Sequence, residues 1–241
     1  MLLFRQWLAL LACMFLGTGA AFAQTESSKS LPVVRWKGNA PGCTSSRTSD
    51  GKFLYRLETN DLDVTLSVDG QELQLTRRRL THFLGVHLQA RYKGTGTLVF
   101  DPGTATLEYA SHYHVMKASL DPEGFAQRIE NGGEEVSDEV SRQIEKHPEK
   151  KEHRETVARA YQKDVAELLE FVNNQMMKSS TLSATTPEVA GWVLFGTNDR
   201  WIGRWKKHEE LIFRMPLADR TLEFPFSLPP TAGEVQLKRR E

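Results

Sequence analysis

The segment Val64-Thr65-Leu66-Ser67-Val68-Asp69-Gly70-Gln71-Glu72-Leu73-Gln74-Leu75 decides the fold class. Val64, Leu66 and Val68 alternate with Thr65 and Ser67, and Leu73 and Leu75 alternate with Glu72 and Gln74. Successive side chains of a strand point to opposite faces, so this is the pattern of two half-buried strands. Asp69-Gly70 suits a two-residue type I′ turn, whose central residues both take positive φ. The turn predicts a hairpin in which Val64 faces Leu75 and Leu66 faces Leu73, with all four side chains on one face.

The strand pattern continues outward from this segment. Val86, Leu88, Ala90 and Tyr92 alternate with His87, Gln89 and Arg91. Lys93-Gly94-Thr95-Gly96 turns the chain into Leu98-Val99-Phe100, and Asp101-Pro102-Gly103 turns it again into a strand from Thr104 to Met116. Further short strands are predicted at Trp192–Phe195, Leu211–Phe213 and Leu222–Phe226. Close spacing of this kind indicates an antiparallel sandwich or barrel.

Between the two groups of strands the period changes. Val157, Tyr161, Val165, Leu168, Leu169, Val172 and Met176 recur every three or four residues, the stripe of a long amphipathic helix. Pro148 suits its first turn, where a missing N–H costs nothing. Val136, Val140 and Ile144 mark a shorter helix before it, so a helical insertion at about 134–178 is predicted, bent at His147-Pro148. The late strands are too few and too short to form a core of their own, so they are expected to join the early sheets in a single domain over 53–228. Residues 24–52, rich in Ser, Thr, Gly, Asn and Pro, read as a flexible leader with Val33–Trp36 as a short edge strand; 229–241 reads as a polar tail.

This order of strands, from Val86–Tyr92 through Leu98-Val99-Phe100-Asp101-Pro102 to Gly191–Phe195 and Leu222–Phe226, resembles uncharacterised exported bacterial envelope proteins. Those proteins have an immunoglobulin-like β-sandwich interrupted by a variable insertion. The resemblance covers about residues 55–228 and rests on strand spacing. It implies a mainly β fold, an immunoglobulin-like antiparallel β-sandwich plus a long amphipathic helix, and an exported binding or scaffold module. It supplies no catalytic residues.

Residues 1–23 carry the address. Arg5 provides a positive start, Trp7–Leu16 is apolar but shorter than a bilayer span, and Ala21-Phe22-Ala23 is a small-x-small cleavage site before Gln24. The expected location is periplasmic or secreted, with no integral span after processing. Leu10-Leu11-Ala12-Cys13 is the competing lipoprotein reading. Cleavage before Gln24 removes Cys13 and leaves Cys43 without an intramolecular partner.

Composition agrees with a globular protein. The 241 residues carry 31 basic and 31 acidic side chains, 39% are hydrophobic, and the mean hydropathy is −0.45. That apolar content can bury a core, and zero net charge together with an export signal argues against nucleic acid as the partner.

Two groups of residues are candidates for chemistry. His112 and His114, at i and i+2, would share one face of a regular strand with Glu108, a start on a zinc site for a metal-dependent hydrolase. Arg200, Trp201, Arg204, Trp205, Lys206 and Lys207 interleave two indoles with cations, which suits stacking on a glycan or contact with a membrane surface. The competing readings are a polar outer sheet face for the histidines and a hairpin with its Trp residues packed inward for the loop. His208-Glu209-Glu210-Leu211-Ile212 starts like a zincin motif but has Ile212 where the second His belongs. No elbow, P-loop or dinucleotide motif occurs, so no catalytic residue and no cofactor is assigned. The expected function is an exported, non-enzymatic binding or scaffold protein of the cell envelope, with an envelope protein or glycan as partner. A carbohydrate- or lipid-binding module using the Trp and basic loop is the alternative, and the hydrolase follows it.

Overall fold

The computed structural model describes residues 31–68, 83–197 and 209–228. The fold is mixed α/β and mostly strands, arranged as two five-stranded sheets with a helical hairpin inserted. The first sheet has the order β1 (Val33–Arg35), β12 (Thr221–Leu228), β11 (Glu209–Pro216), β7 (Thr106–Tyr109), β8 (Val115–Ala118). The second has the order β10 (Glu188–Gly196), β5 (Phe83–Tyr92), β4 (Leu62–Val68), β3 (Phe53–Glu58), β2 (Cys43–Arg47). A small third sheet pairs β6 (Leu98–Phe100) with β9 (Ser180–Leu182). The late strands do join the early ones: β10 pairs with β5, and β11 with β7.

Alternation explains the core. Leu62, Val64, Leu66 and Val68 are buried, while Asp63, Thr65 and Ser67 between them are half-buried. Leu211, Phe213 and Met215 of β11, and Leu222, Phe224, Phe226 and Leu228 of β12, face the same interior, so the two sheets share one apolar cluster. Burial of this contiguous surface is the main stabilising contribution. On one side the sheets meet where Ser119 bridges Phe195 and the Leu120 amide donates to the Leu194 carbonyl at 2.7 Å. On the other side Trp36 closes the gap. It is fully buried, packs edge-on against Tyr55 with centroids 5.0 Å apart, and donates Nε1–H to the Thr44 carbonyl at 3.2 Å.

Four expectations need correction. Val64 faces Leu57 on β3 and Ala90 on β5, and Leu66 faces Tyr55 and Leu88. Both edges of β4 are taken, so neither residue has an edge left for the predicted partner; Asp69, Gly70, Leu73 and Leu75 lie outside the described residues. The strand foreseen from Thr104 to Met116 is two strands, β7 and β8, joined by a turn at 110–114. Cys43–Arg47, assigned to the leader on composition, forms edge strand β2.

The insertion is also different. It is a hairpin of two helices of equal length, α1 (Pro122–Lys146) and α2 (Lys151–Gln175), 25 residues each, rather than a short helix and one long one. It begins at 122 rather than 134, because Asp121 caps α1 by accepting from the Gly124 amide at 2.7 Å and Pro122 occupies the first turn. Pro148 starts a single 3₁₀ turn, Pro148–Lys150, that links the helices.

The base of this hairpin packs on the outer face of the second sheet. Phe125, Ile129, Val165, Leu168, Val172 and Met176 form a second apolar cluster with Phe83 and Leu194. That is why β5 alternates only in its second half: Phe83, Leu84, Gly85 and Val86 are all buried, being covered on both faces. Gly191 is required where the chain leaves α2. A Cβ there would lie 2.8 Å from the Met177 backbone, whose amide donates to the Trp192 carbonyl at 2.9 Å.

Candidate functional site

The β7–β8 turn collects the two histidines singled out in the sequence, but not on one strand face. Tyr113 and His114 both adopt left-handed backbone conformations, φ 56° and 58°, which side chains other than Gly resist. The turn is closed by amides of His112 and Val115 donating to the carbonyls of Tyr109 and His112, at 3.1 and 3.2 Å. His112 Nε2 lies 2.8 Å from an oxygen of Glu209, the first residue of β11. His114 Nδ1 pairs with Glu108 on β7. Each imidazole therefore meets a different, almost fully buried carboxylate. Among the described residues no three His, Cys, Asp or Glu side chains converge as a metal cage would need.

Glu108 is also the end of a charged ladder across the outer face of the first sheet. Its second oxygen pairs with Arg214 Nη1, Arg214 Nε donates to Glu223 at 2.6 Å, and Glu223 lies 3.5 Å from Arg35 Nε. The ladder runs over β7, β11, β12 and β1. Burial would push the Glu108 carboxyl up, but hydrogen bonds from His114 and Arg214 outweigh it and hold Glu108 below the ordinary carboxylate range. Burial likewise opposes charge on Arg214, and the hydrogen bonds to Glu223 and Glu108 outweigh it and keep the guanidinium more firmly protonated. Tyr109, beneath the turn, has its phenol pushed well up by burial and further by the nearby Glu209. Glu108, Arg214 and Glu223 satisfy one another, the arrangement of a structural network.

The second sheet carries charge on the half of its outer face that the helices leave open. A groove of about 440 Å³ is lined by Arg56, Asp63, Arg91, Tyr92, Lys93 and Pro187, among others. Its charges are already paired: Arg56 with Asp63, Lys93 with Glu58 at 2.5 Å, and Arg91 with Glu188 at 3.4 Å. Cys43 sits half-buried on β2 against the core, with the Lys37 amide 3.5 Å from its Sγ. Arg200, Trp201, Arg204, Trp205, Lys206 and Lys207 lie outside the described residues, as does the whole of 1–30. Among the described residues no helix is long and apolar enough to cross a membrane.

The helical hairpin is the feature that sequence reasoning underestimated. Its base is anchored as far as Gly133 and Val165, where Gln162 donates to the Gly133 carbonyl at 3.0 Å. Beyond that point, from 134 to 164, no residue is buried, and the helices hold each other through contacts such as Arg154 to Gln143 at 3.1 Å. Gly124, Gly132 and Gly133 lower helix propensity in the first half of α1 and hid it; the Asp121-Pro122 pair was the signal available. Compared with protein-family models, curated proteins and solved structures, the chain matches none.

Proposed function

We propose that the protein is an exported, non-enzymatic binding or assembly module of the bacterial cell envelope, with the far half of its helical hairpin as the partner-facing element. One observation carries the reading: residues 134–160 contribute no side chain to either apolar cluster of the sheets. A helix kept only for packing can end where its apolar contact ends. Here α1 continues 13 residues past Gly133, about 20 Å at the rise of an α-helix. Export rests on the charged start, short apolar run and Ala21-Phe22-Ala23 site of residues 1–23. The immunoglobulin-like sandwich remains the proposed fold family, supported by two five-stranded sheets with a shared core.

The test removes the arm and keeps the anchor. Gly133 lies beside Val165 and Gln162, so a short Gly-Ser link can replace residues 134–160 and leave Tyr161 and Gln162 in the base. The shortened protein should melt near the parent temperature and lose the cross-linked partners that the full chain captures in its native envelope. Capture of the same partners by both proteins would overturn the role given to the arm. Mass spectrometry of the native N-terminus tests export, with Gln24 as the expected first residue.

A further inference from the structure

We propose that β1 is an exchangeable strand: with Trp36 as its anchor, it leaves its own β12 and pairs with β12 of a second copy of this chain, giving a symmetric dimer. This inference is independent of the role of the helical hairpin. Three features of the β1 region support it.

First, β1 is an edge strand with a short ladder. It makes three register pairs, Val33 with Thr221, Val34 with Leu222 and Arg35 with Glu223, and among the described pairings of the two large sheets it alone is parallel. The amides of Thr221 and Trp36 add two bonds, to the carbonyls of Pro32 and Glu223 at 2.9 and 2.8 Å. Leu31 and Val33 leave apolar surface exposed at this edge, 41% and 55% accessible. Trp36 apart, the strand is therefore held by few bonds and little buried apolar surface.

Second, the strand carries one deep anchor. Trp36 is fully buried against Tyr55 and bonded to Thr44. The site it fills has the shape of this chain's own β1–Trp36 segment, and the same segment is present on every other copy. That complementarity selects a second copy as the occupant over an unrelated partner.

Third, the link to β2 is built as a hinge. Lys37–Gly42 closes through two backbone bonds, from the amides of Ala40 and Cys43 to the carbonyls of Lys37 and Ala40 at 3.1 and 3.0 Å. The closed turn holds Asn39 in the left-handed region at φ 70°. Pro41 biases Ala40 toward extended backbone, so the opened form costs little. Exchange keeps every contact of the strand and changes only this hinge, and the resulting contact is isologous, which closes at two chains. Asn tolerates the left-handed region, so release of the hinge offsets only a small part of the entropy lost on association, and exchange is expected at high concentration.

The experiment measures mass by light scattering during size exclusion, over micromolar to millimolar concentrations of the full chain. A cysteine pair, Val33→Cys with Thr221→Cys in a Cys13→Ser, Cys43→Ser background, reads out which chain each strand occupies. Opposed ladder positions lie within disulfide reach, and Val33 is exposed, so the core is undisturbed. Exchange predicts a concentration-dependent dimer whose disulfide joins two chains. A chain that stays monomeric at millimolar concentration, or a dimer whose disulfide stays within one chain, overturns it. Should the double-cysteine protein fail to fold, the hinge gives a separate reading. Asn39→Val penalises the left-handed closed turn and should raise the dimerisation constant about tenfold, and Asn39→Gly should lower it. An unchanged constant in both overturns the proposal.

Discussion

The outer faces of the two sheets are covered in opposite ways. On the second sheet, Phe83 and Leu194 are buried under the base of the helical hairpin by Phe125, Ile129, Val165 and Leu168. On the first, a ladder of alternating charge, Glu108–Arg214–Glu223–Arg35, with His114 at its end, covers the strands with paired polar groups. Apolar burial contributes roughly 25 cal/mol per Å² with no partner geometry to satisfy. A buried ion pair loses hydration and recovers it only through good geometry, so its net contribution to stability is small, whereas breaking it is expensive. The two faces should therefore respond similarly to the loss of one member and differently to replacement of the whole set.

The largest effect is expected on the apolar face. Phe125 is almost fully buried and packs edge-on against Phe83 with centroids 5.6 Å apart. Phe125→Ala should destabilise the protein by about 3–5 kcal/mol, read from urea unfolding. An unchanged midpoint would mean that the hairpin base does not hold the helices to the sheet.

The next effect is on the charged face. Arg214→Ala strips Glu108 and Glu223 of their shared guanidinium and leaves two carboxylates buried. The loss should be about 2–3 kcal/mol, below the value for a fully enclosed pair because Arg214 keeps 22% of its side chain exposed. Replacing Glu108, Arg214 and Glu223 together by Leu, Met and Leu should cost about 1 kcal/mol or less. If the triple variant loses as much as the single one, the ladder contributes net stability and the contrast between the faces fails.

The two faces should also lose stability in different pH windows. His87, next to Trp192 with ring centroids 5.5 Å apart, has its imidazole held below the ordinary value of 6.5 by burial and by the Lys52 charge. Its unfolded form then binds more protons than its folded form as pH falls. The stability tied to His87 is complete above pH 6.5 and is lost as pH drops through the folded value. Glu108 is also depressed, from 4.5, so its contribution is complete above that pH and is lost only in stronger acid. Unfolding midpoints between pH 8 and 3 should show two declines, with His87→Gln flattening the upper and Glu108→Gln making the lower, to which Asp61 also contributes, shallower. A single decline common to both variants would show that the faces are not separately titrated.

Legibility in the sequence followed the range of the interactions. Alternation within one strand is local, and β4 and most of β5 are readable from it, while β11 and β12 are readable only as short strands at Leu211–Phe213 and Leu222–Phe226. Pairing is not local. The Asp69-Gly70 turn signal named Leu73 and Leu75 as partners, but Tyr55, Leu57, Leu88 and Ala90 occupy those edges, and nothing near Val64 encodes them. The turn at 110–114 has no Gly or Pro to announce it; Tyr113 and His114 take left-handed backbone against their own preference. The His112–Glu209 contact joins residues 97 apart in the chain, so only the fold reveals it. The helical hairpin was half visible, because α2 keeps an uninterrupted apolar stripe and α1 carries its buried Phe125 and Ile129 among glycines.

The smallest expected effect separates the anchored and free halves of the hairpin. Val157 on α2 is 52% exposed and lies in the stretch that packs on neither sheet. Val165, eight residues on, is buried against the base. Val157→Ser should change stability by less than about 0.5 kcal/mol, as surface substitutions do. Val165→Ala should cost considerably more, since it opens space in the cluster beneath Phe125 and Leu168. Hydrogen exchange refines the same contrast, because amides with few buried apolar neighbours open locally without global unfolding. Protection should fall from Val165 back toward Lys151, and from Gly133 forward toward Lys146. Equal protection along both helices would show that the far half is held as firmly as the base, by something beyond the contacts that the two helices make with each other.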